Sequence, residues 1–303
     1  MMVWKASKLC RFLYLDIDEI TCKCEVHTVF NKAVNFSLNG RLITLLSAGR
    51  FLNPYSFILR EPLAFNTLGF SPRITAKLNK NGIRIPDIGV EIDFTEAELS
   101  DLSIYSNGPY LVPRDMGYRL ELLTLYLADN SRPGGICSLV TNKEPKQYSE
   151  RIKPYIPVLT NALVEGNTEL AEKMSAKIAG YGVGLTPSSD DFLAGFLSAY
   201  TVISIIAKKD IERTLTITQR VGYAAAAHTM DISAEFLRQS GNAMASWAVL
   251  KLLNALFSET SYSLLLSRAN QVMSFGATSG SDILTGIVLC TKYVLLNSGI
   301  GKI

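Results

Sequence analysis

Histidine is nearly absent from this chain of 303 residues. Only His27 and His228 are present, so a His-rich transition-metal site cannot be assembled. Cysteine is almost as thin. Cys10, Cys22, Cys24, Cys137 and Cys290 are odd in number, scattered and without a Cys-x-x-Cys pair, which fits a reducing, cytoplasmic setting better than a disulfide framework. Neither sign of charge dominates, with 30 Lys plus Arg against 27 Asp plus Glu and a formal charge of +3. With no basic stripe either, nothing in the electrostatics calls for nucleic acid. The longest uncharged run, Phe192 to Ala207, is short of the ~20 residues a membrane span needs, and it carries Gly195, Ser198, Tyr200, Thr201 and Ser204. It reads as a buried helix, and no membrane association is expected. The N-terminus holds Lys5, Lys8 and Arg11 with Asp16 close behind, which leaves no clean signal-peptide core. Familiar motifs are missing too. There is no Gly-x-x-x-x-Gly-Lys-Ser/Thr loop, no dinucleotide fingerprint and no Gly-x-Ser-x-Gly elbow, which removes the standard nucleotide and serine-hydrolase readings.

What is present is a globular chain, 48% hydrophobic and 19% charged, long enough for two domains. The first part reads as strands. Ala33 to Leu38, Asn39-Gly40 and Arg41 to Ser47 form a hairpin pattern whose Asn-Gly pair tolerates the positive φ angles of a type I′ turn. Cys24 to Phe30, Ser56 to Arg60, and two short runs in Gly82 to Phe94 broken at Pro86-Asp87 add further β pattern. The second part carries apolar residues at helical spacing over 147–165, 168–179, 191–207, 211–228, 233–238, 243–257, 262–273 and 283–296. Residues 117–128 form a helix that suits either part, and Asp129 to Gly135 is a loop that serves as a boundary or a site. The expected class is α+β: an antiparallel β-rich domain over 1–115, then a mainly helical domain over 116–303.

An approximate internal repeat stands out in the helical part. One copy runs from Gly184 to Gly195 and the other from Gly276 to Gly286. Both read Gly-x-Thr, then small hydroxyl residues, then an Asp followed four residues later by Gly. Ser188 with Asp191, and Ser279 with Asp282, have the Ser-x-x-Asp spacing of a capping box. Each copy is therefore a glycine-rich loop entering a helix. In one reading Ser caps, Asp complements the helix dipole, and the later Gly admits a neighbouring helix. In the other, free N–H groups at two helix starts face one site for phosphate or carboxylate. Gly182, Gly184, Thr186, Ser188, Ser189, Gly276, Thr278, Ser279, Gly280 and Ser281 are its candidate ligands. Gly180, Gly182 and Gly184 alternate ahead of the first copy, at a cost in chain entropy that suits neither helix nor ordinary strand. Asp190, Asp191 and Asp282 have three uses: capping, holding Mg2+ against phosphate oxygens, or accepting a substrate amide N–H.

At these residues the sequence resembles a known family. The stretch from Ile178 to Leu197 is similar to the signature of a bacterial family that includes the AllH-type subunit of oxamate carbamoyltransferase, and Gly276 to Gly286 resembles its C-terminal glycine-rich motif. The resemblance implies a component of an enzyme that converts oxalurate and phosphate to oxamate and carbamoyl phosphate in anaerobic allantoin (purine) degradation, with Mg2+ involved. It also implies a heteromeric complex with other subunits, among them an acyl-CoA-synthetase-like partner, and a small anionic substrate. Whether this chain carries the chemistry, serves as a non-catalytic assembly subunit, or is a stand-alone phosphate-ligand enzyme stays open at the level of sequence.

Overall fold

A computed structural model describes residues 2–17 and 20–298, so the last residues of the expected helical domain, 299–303, lie outside it. The chain divides into two compact units, Met1–Leu102 and Ser103–Ile303. The division falls ahead of residue 115. Residues past Leu102 join the helical unit through an isolated bridge between Ser103 and Met244, and through Ile104 N–H to the Ala243 carbonyl (2.8 Å) and Leu111 N–H to the Phe257 carbonyl (2.9 Å).

The first unit contains strands β1 (Met2–Cys10), β2 (Cys22–Val29), β3 (Ala33–Leu38), β4 (Arg41–Leu46), β5 (Ser56–Leu59), β6 (Thr75–Asn79), β7 (Gly82–Ile85), β8 (Val90–Asp93) and β9 (Glu98–Ser100), with the short helix α1 (Arg11–Asp16) after β1. Eight of these strands close into a barrel, because β1 pairs with β8 along one edge and with β5 along the other; β9 lies beside the end of β1. Closure removes the open edges that a sheet of this size would otherwise expose. The Asn39-Gly40 hairpin forms in the expected register, Leu38 opposite Arg41, with φ of 50° and 78° at the turn. Cys24 and Val26 of β2, Ala76 and Leu78 of β6, Ile83 and Ile85 of β7, and Val90 and Ile92 of β8 alternate inward to build the core. The sheet is mostly antiparallel, and the exceptions are β1 against β8, β1 against β9, and β4 against β5. In none of the three does a hairpin join the pair, so no tight turn dictates antiparallel order.

The second unit holds α2 (Met116–Asn130), α3 (Gln147–Ile152), α4 (Tyr155–Glu165), α5 (Thr168–Ile178), α6 (Ser188–Ile206), α7 (Ile211–Ala226), α8 (Asp231–Gly241), α9 (Trp247–Leu256), α10 (Tyr262–Met273) and α11 (Ser279–Ser298). The single helix expected over 147–165 is two, separated at Lys153-Pro154, since Pro154 lacks the N–H needed to continue α3. By length and composition alone α6 could cross a membrane, yet 83% of its apolar window is buried within the protein. Its place is the centre of the helical unit, where it packs against α11. Gly195 of α6 sits against the carbonyl of Ile283, and Gly286 of α11 sits against the carbonyl of Phe192. A Cβ at either position would collide with the facing backbone. The two contacts are equivalent, because Ile283 follows Asp282 as Phe192 follows Asp191.

Candidate functional site

The crossing of α6 and α11 brings the two repeated loops together. Thr186 Oγ1 of the first copy lies 3.1 Å from Ser279 Oγ of the second. The spacing that suggested a capping box has a different use here. The residue before α6 is Pro187, which makes no side-chain cap. Ser188, the first residue of that helix, instead lies with its hydroxyl near enough to Asp282 of the other helix to favour the ionised form of that carboxyl. Ser279, the first residue of α11, does the same for Asp191. Thr186 adds a hydroxyl to Asp191, and Thr278 adds one to Asp282. Each acid is thus served by the Thr of its own copy and the Ser of the opposite one.

The two acids are buried, Asp191 at 5% and Asp282 at 0% exposure. One oxygen of each, Asp191 Oδ2 and Asp282 Oδ2, has no hydrogen-bond partner. An unpaired carboxylate in such surroundings is costly, and the proton is the cheapest remedy. Burial pushes the Asp191 carboxyl well above the usual carboxylate range, and the negative charge of Asp282 adds to the rise against the hydroxyls of Ser279 and Thr186. Burial likewise raises Asp282 to about 6, opposed by the Ile136 N–H and the hydroxyls of Ser188 and Thr278.

A third segment closes on Asp282. The Ile136 N–H donates to Asp282 Oδ1 at 2.8 Å, and Gly135 comes so near that carboxylate that a side chain there would strike it. Braces hold this loop: Tyr148 donates to the Gly134 carbonyl, and Lys143 Nζ donates to the Ser131 carbonyl and hydroxyl, each at 2.8 Å. In the sequence, Asp129 to Gly135 marks this loop only as a boundary or a site. Its role at Asp282 escaped sequence reading, because a single backbone N–H contact leaves no residue-type signal beyond the paired glycines.

The other predicted residues have places of their own. Asp190 spends both carboxylate oxygens on protein donors: Oδ1 on the Gly180 N–H (2.7 Å), and Oδ2 on the hydroxyls of Thr229 and Ser233, the latter at 2.7 Å. It anchors α8 and the glycine loop and stands apart from the Asp191–Asp282 pair. Ser189 accepts from the Tyr181 N–H at 2.8 Å, and Ser281 donates to the Thr278 carbonyl at 2.6 Å. Gly182 (φ 141°) lies where a Cβ would strike the Ser188 N–H, and Gly280 lies tight against the Val272 carbonyl. Gly184 and Gly276 occupy exposed turns. The first loop also exposes Val183 (84%) and Leu185 (47%), and among the described residues no acceptor pairs with the N–H groups of Gly182, Val183, Gly184 and Leu185. Convergence therefore gathers Thr186, Ser188, Asp191, Thr278, Ser279 and Asp282. The remaining candidates shape and brace the two loops.

Mg2+ is a poor match for this pair. The ion keeps several waters and sits among several oxygens in an open octahedral shell, whereas these carboxylates are buried and leave one free oxygen each. Among the described residues no group of three or more His, Cys, Asp or Glu side chains is placed to hold a metal.

Comparison with known proteins places this geometry in a family. No curated protein and no solved structure matches the chain. The profile described as oxamate carbamoyltransferase subunit AllH matches residues 178–291, which include both repeated loops, and the AllH family N-terminal domain matches residues 5–99, which cover most of the barrel. The two matches together take in well over half of the sequence, and the chain belongs to the AllH family of oxamate carbamoyltransferase subunits.

Proposed function

We propose that this chain is the subunit in which the carbamoyl group and phosphate meet, in an enzyme that converts oxalurate and phosphate to oxamate and carbamoyl phosphate. The carrying observation is the junction of the two loops at Thr186 and Ser279, 3.1 Å apart. A subunit of a larger enzyme needs other components, and we assign an acyl-CoA-synthetase-like protein as one of them, in the cytoplasm, within anaerobic allantoin degradation. The unpaired N–H groups of the 182–185 segment suit an anionic phosphate, as N–H clusters at helix starts do. Rate then comes from positioning and from donors aimed at developing charge. Thr186→Val and Ser279→Ala keep the side-chain volumes close to native while deleting the hydroxyls. Each is expected to lower the rate of the reconstituted complex by at least about 10-fold, in line with the loss of one well-placed donor, with an unchanged circular dichroism spectrum.

One observation favours a second reading. Gly195 and Gly286 are explained by helix packing alone, so the repeat could serve assembly and not catalysis. On that reading the chain is a non-catalytic subunit: Gly195→Leu breaks the complex, whereas Thr186→Val leaves its rate untouched.

A further inference from the structure

We propose that Asp191 and Asp282 form an acid–base pair that shares one proton, with Asp191 as the acid and Asp282 as the base for carbamoyl transfer. This rests on the reading of the paired loops as the transfer site and adds to it the groups that move protons. The argument begins with the unpaired oxygens. Two carboxylates more than nine-tenths buried, each with an oxygen lacking any donor, lie behind hydroxyls that touch at 3.1 Å, and the charge of Asp282 is felt at Asp191. They cannot both carry charge at low cost, and one proton on the pair removes the repulsion. Their surroundings differ in a way that assigns the roles. Asp282 accepts a backbone N–H from Ile136 at 2.8 Å, a fixed donor that favours its ionised form. Asp191 has only hydroxyls, from Thr186 and Ser279, which rotate to accept a proton as readily as they give one.

The groups that act on the pair come from every side. Asp190 on α6 adds negative charge near Asp191, and Tyr148 on α3 lies close enough to feel Asp282. Among the described residues no Lys, Arg or His figures in what sets either acidity. The half-buried members of the cluster are Thr186, Thr278 and Ser279, so the side of the pair that meets solvent and substrate is the side these hydroxyls line.

The proton balance of the proposed reaction needs such a pair. Monohydrogen phosphate attacks the carbamoyl carbon of an N-acyl urea; a C–O bond forms and the bond from carbon to the acyl-bearing nitrogen breaks. The phosphate proton passes to ionised Asp282. Asp191 gives its proton, through the Thr186 and Ser279 hydroxyls, to the departing nitrogen, which leaves as a neutral primary amide. The next turnover begins once the proton moves from Asp282 to Asp191.

The test has two arms. In the wild-type chain with 13C-labelled Asp carboxyls, one member of the pair is expected to stay protonated at neutral pH, and Asp282→Asn, which removes the charge that adds to the rise at Asp191, should shift the Asp191 titration to lower pH. In the reconstituted complex, Asp191→Asn and Asp282→Asn are each expected to lower kcat by about 100-fold and to remove one limb of the pH–rate profile. Carbamoyl phosphate affinity, read by calorimetry on the same variants, should change less than about 3-fold, a small fraction of that rate loss. Both carboxyls ionising together in the ordinary range, or wild-type profiles in both variants, overturns the pair. If those profiles are wild type while Thr186→Val is still slow, the transfer site stands and only the acid–base assignment falls. If carbamoyl phosphate does not bind the wild-type complex at all, both readings fall. Should either Asn variant unfold, the titration of the wild-type chain decides alone.

Discussion

Asp282 is the residue whose chemistry shows most directly in stability. Burial lifts its carboxyl to about 6, against an unfolded value near 4. A higher value in the folded chain means that the folded state holds the proton more tightly. The stabilisation from that proton is complete below about pH 4 and is lost as pH rises through about 6. Its size is on the order of 3 kcal/mol from the roughly two-unit difference. Asp282→Asn keeps the shape and deletes the titration, so wild type should lose thermal stability relative to the variant between about pH 4 and pH 7. A gap that stays constant across this range would contradict the buried, proton-holding state. How much of this was legible beforehand divides along chemical lines. The acids, the hydroxyls and their spacing were visible as residue types. Their exchange of partners was not, because capping and cross-helix bonding require the same Ser-x-x-Asp letters.

Helices α6 and α11 set the geometry through two glycines, and their energetics separate space from strain. Gly195→Ala or Gly286→Ala would push a methyl into a facing carbonyl, and each should destabilise by about 1–3 kcal/mol, the usual cost of overpacking. Gly40 offers the contrast. It has open space around it and φ of 78°, so Gly40→Ala carries backbone strain alone, about 1 kcal/mol. Chemical denaturation of the three variants checks the order; a Gly40 variant less stable than both helix variants would refute it. The hairpin and most helices could be read from periodicity, since Asn39-Gly40 and the apolar spacing act locally. The barrel's closure and its parallel pairs could not. They depend on β1 meeting β5, β8 and β9, strands far away along the chain.

At the scale of the molecule, each of the two units has a core of its own: Phe36, Phe57 and Phe65 in the barrel, Phe192, Phe196 and Tyr200 among the helices. Residues 1–102 and 103–303, expressed separately, should each melt cooperatively by circular dichroism, as units with independent cores do; a non-cooperative trace from either would show that the division is not one of stability. Chelation should leave the thermal midpoint of the isolated chain unchanged, because the Asp191–Asp282 pair suits a proton and not a hard cation. A large drop on adding EDTA would reverse that assignment. The exchange of hydroxyls between the copies has one more consequence. Ser279 serves Asp191 while Ser188 serves Asp282, so damage does not stay in the half where it arises. A lesion in either copy registers at the other's acid, and two stretches lying some ninety positions apart are bound to drift through evolution in step.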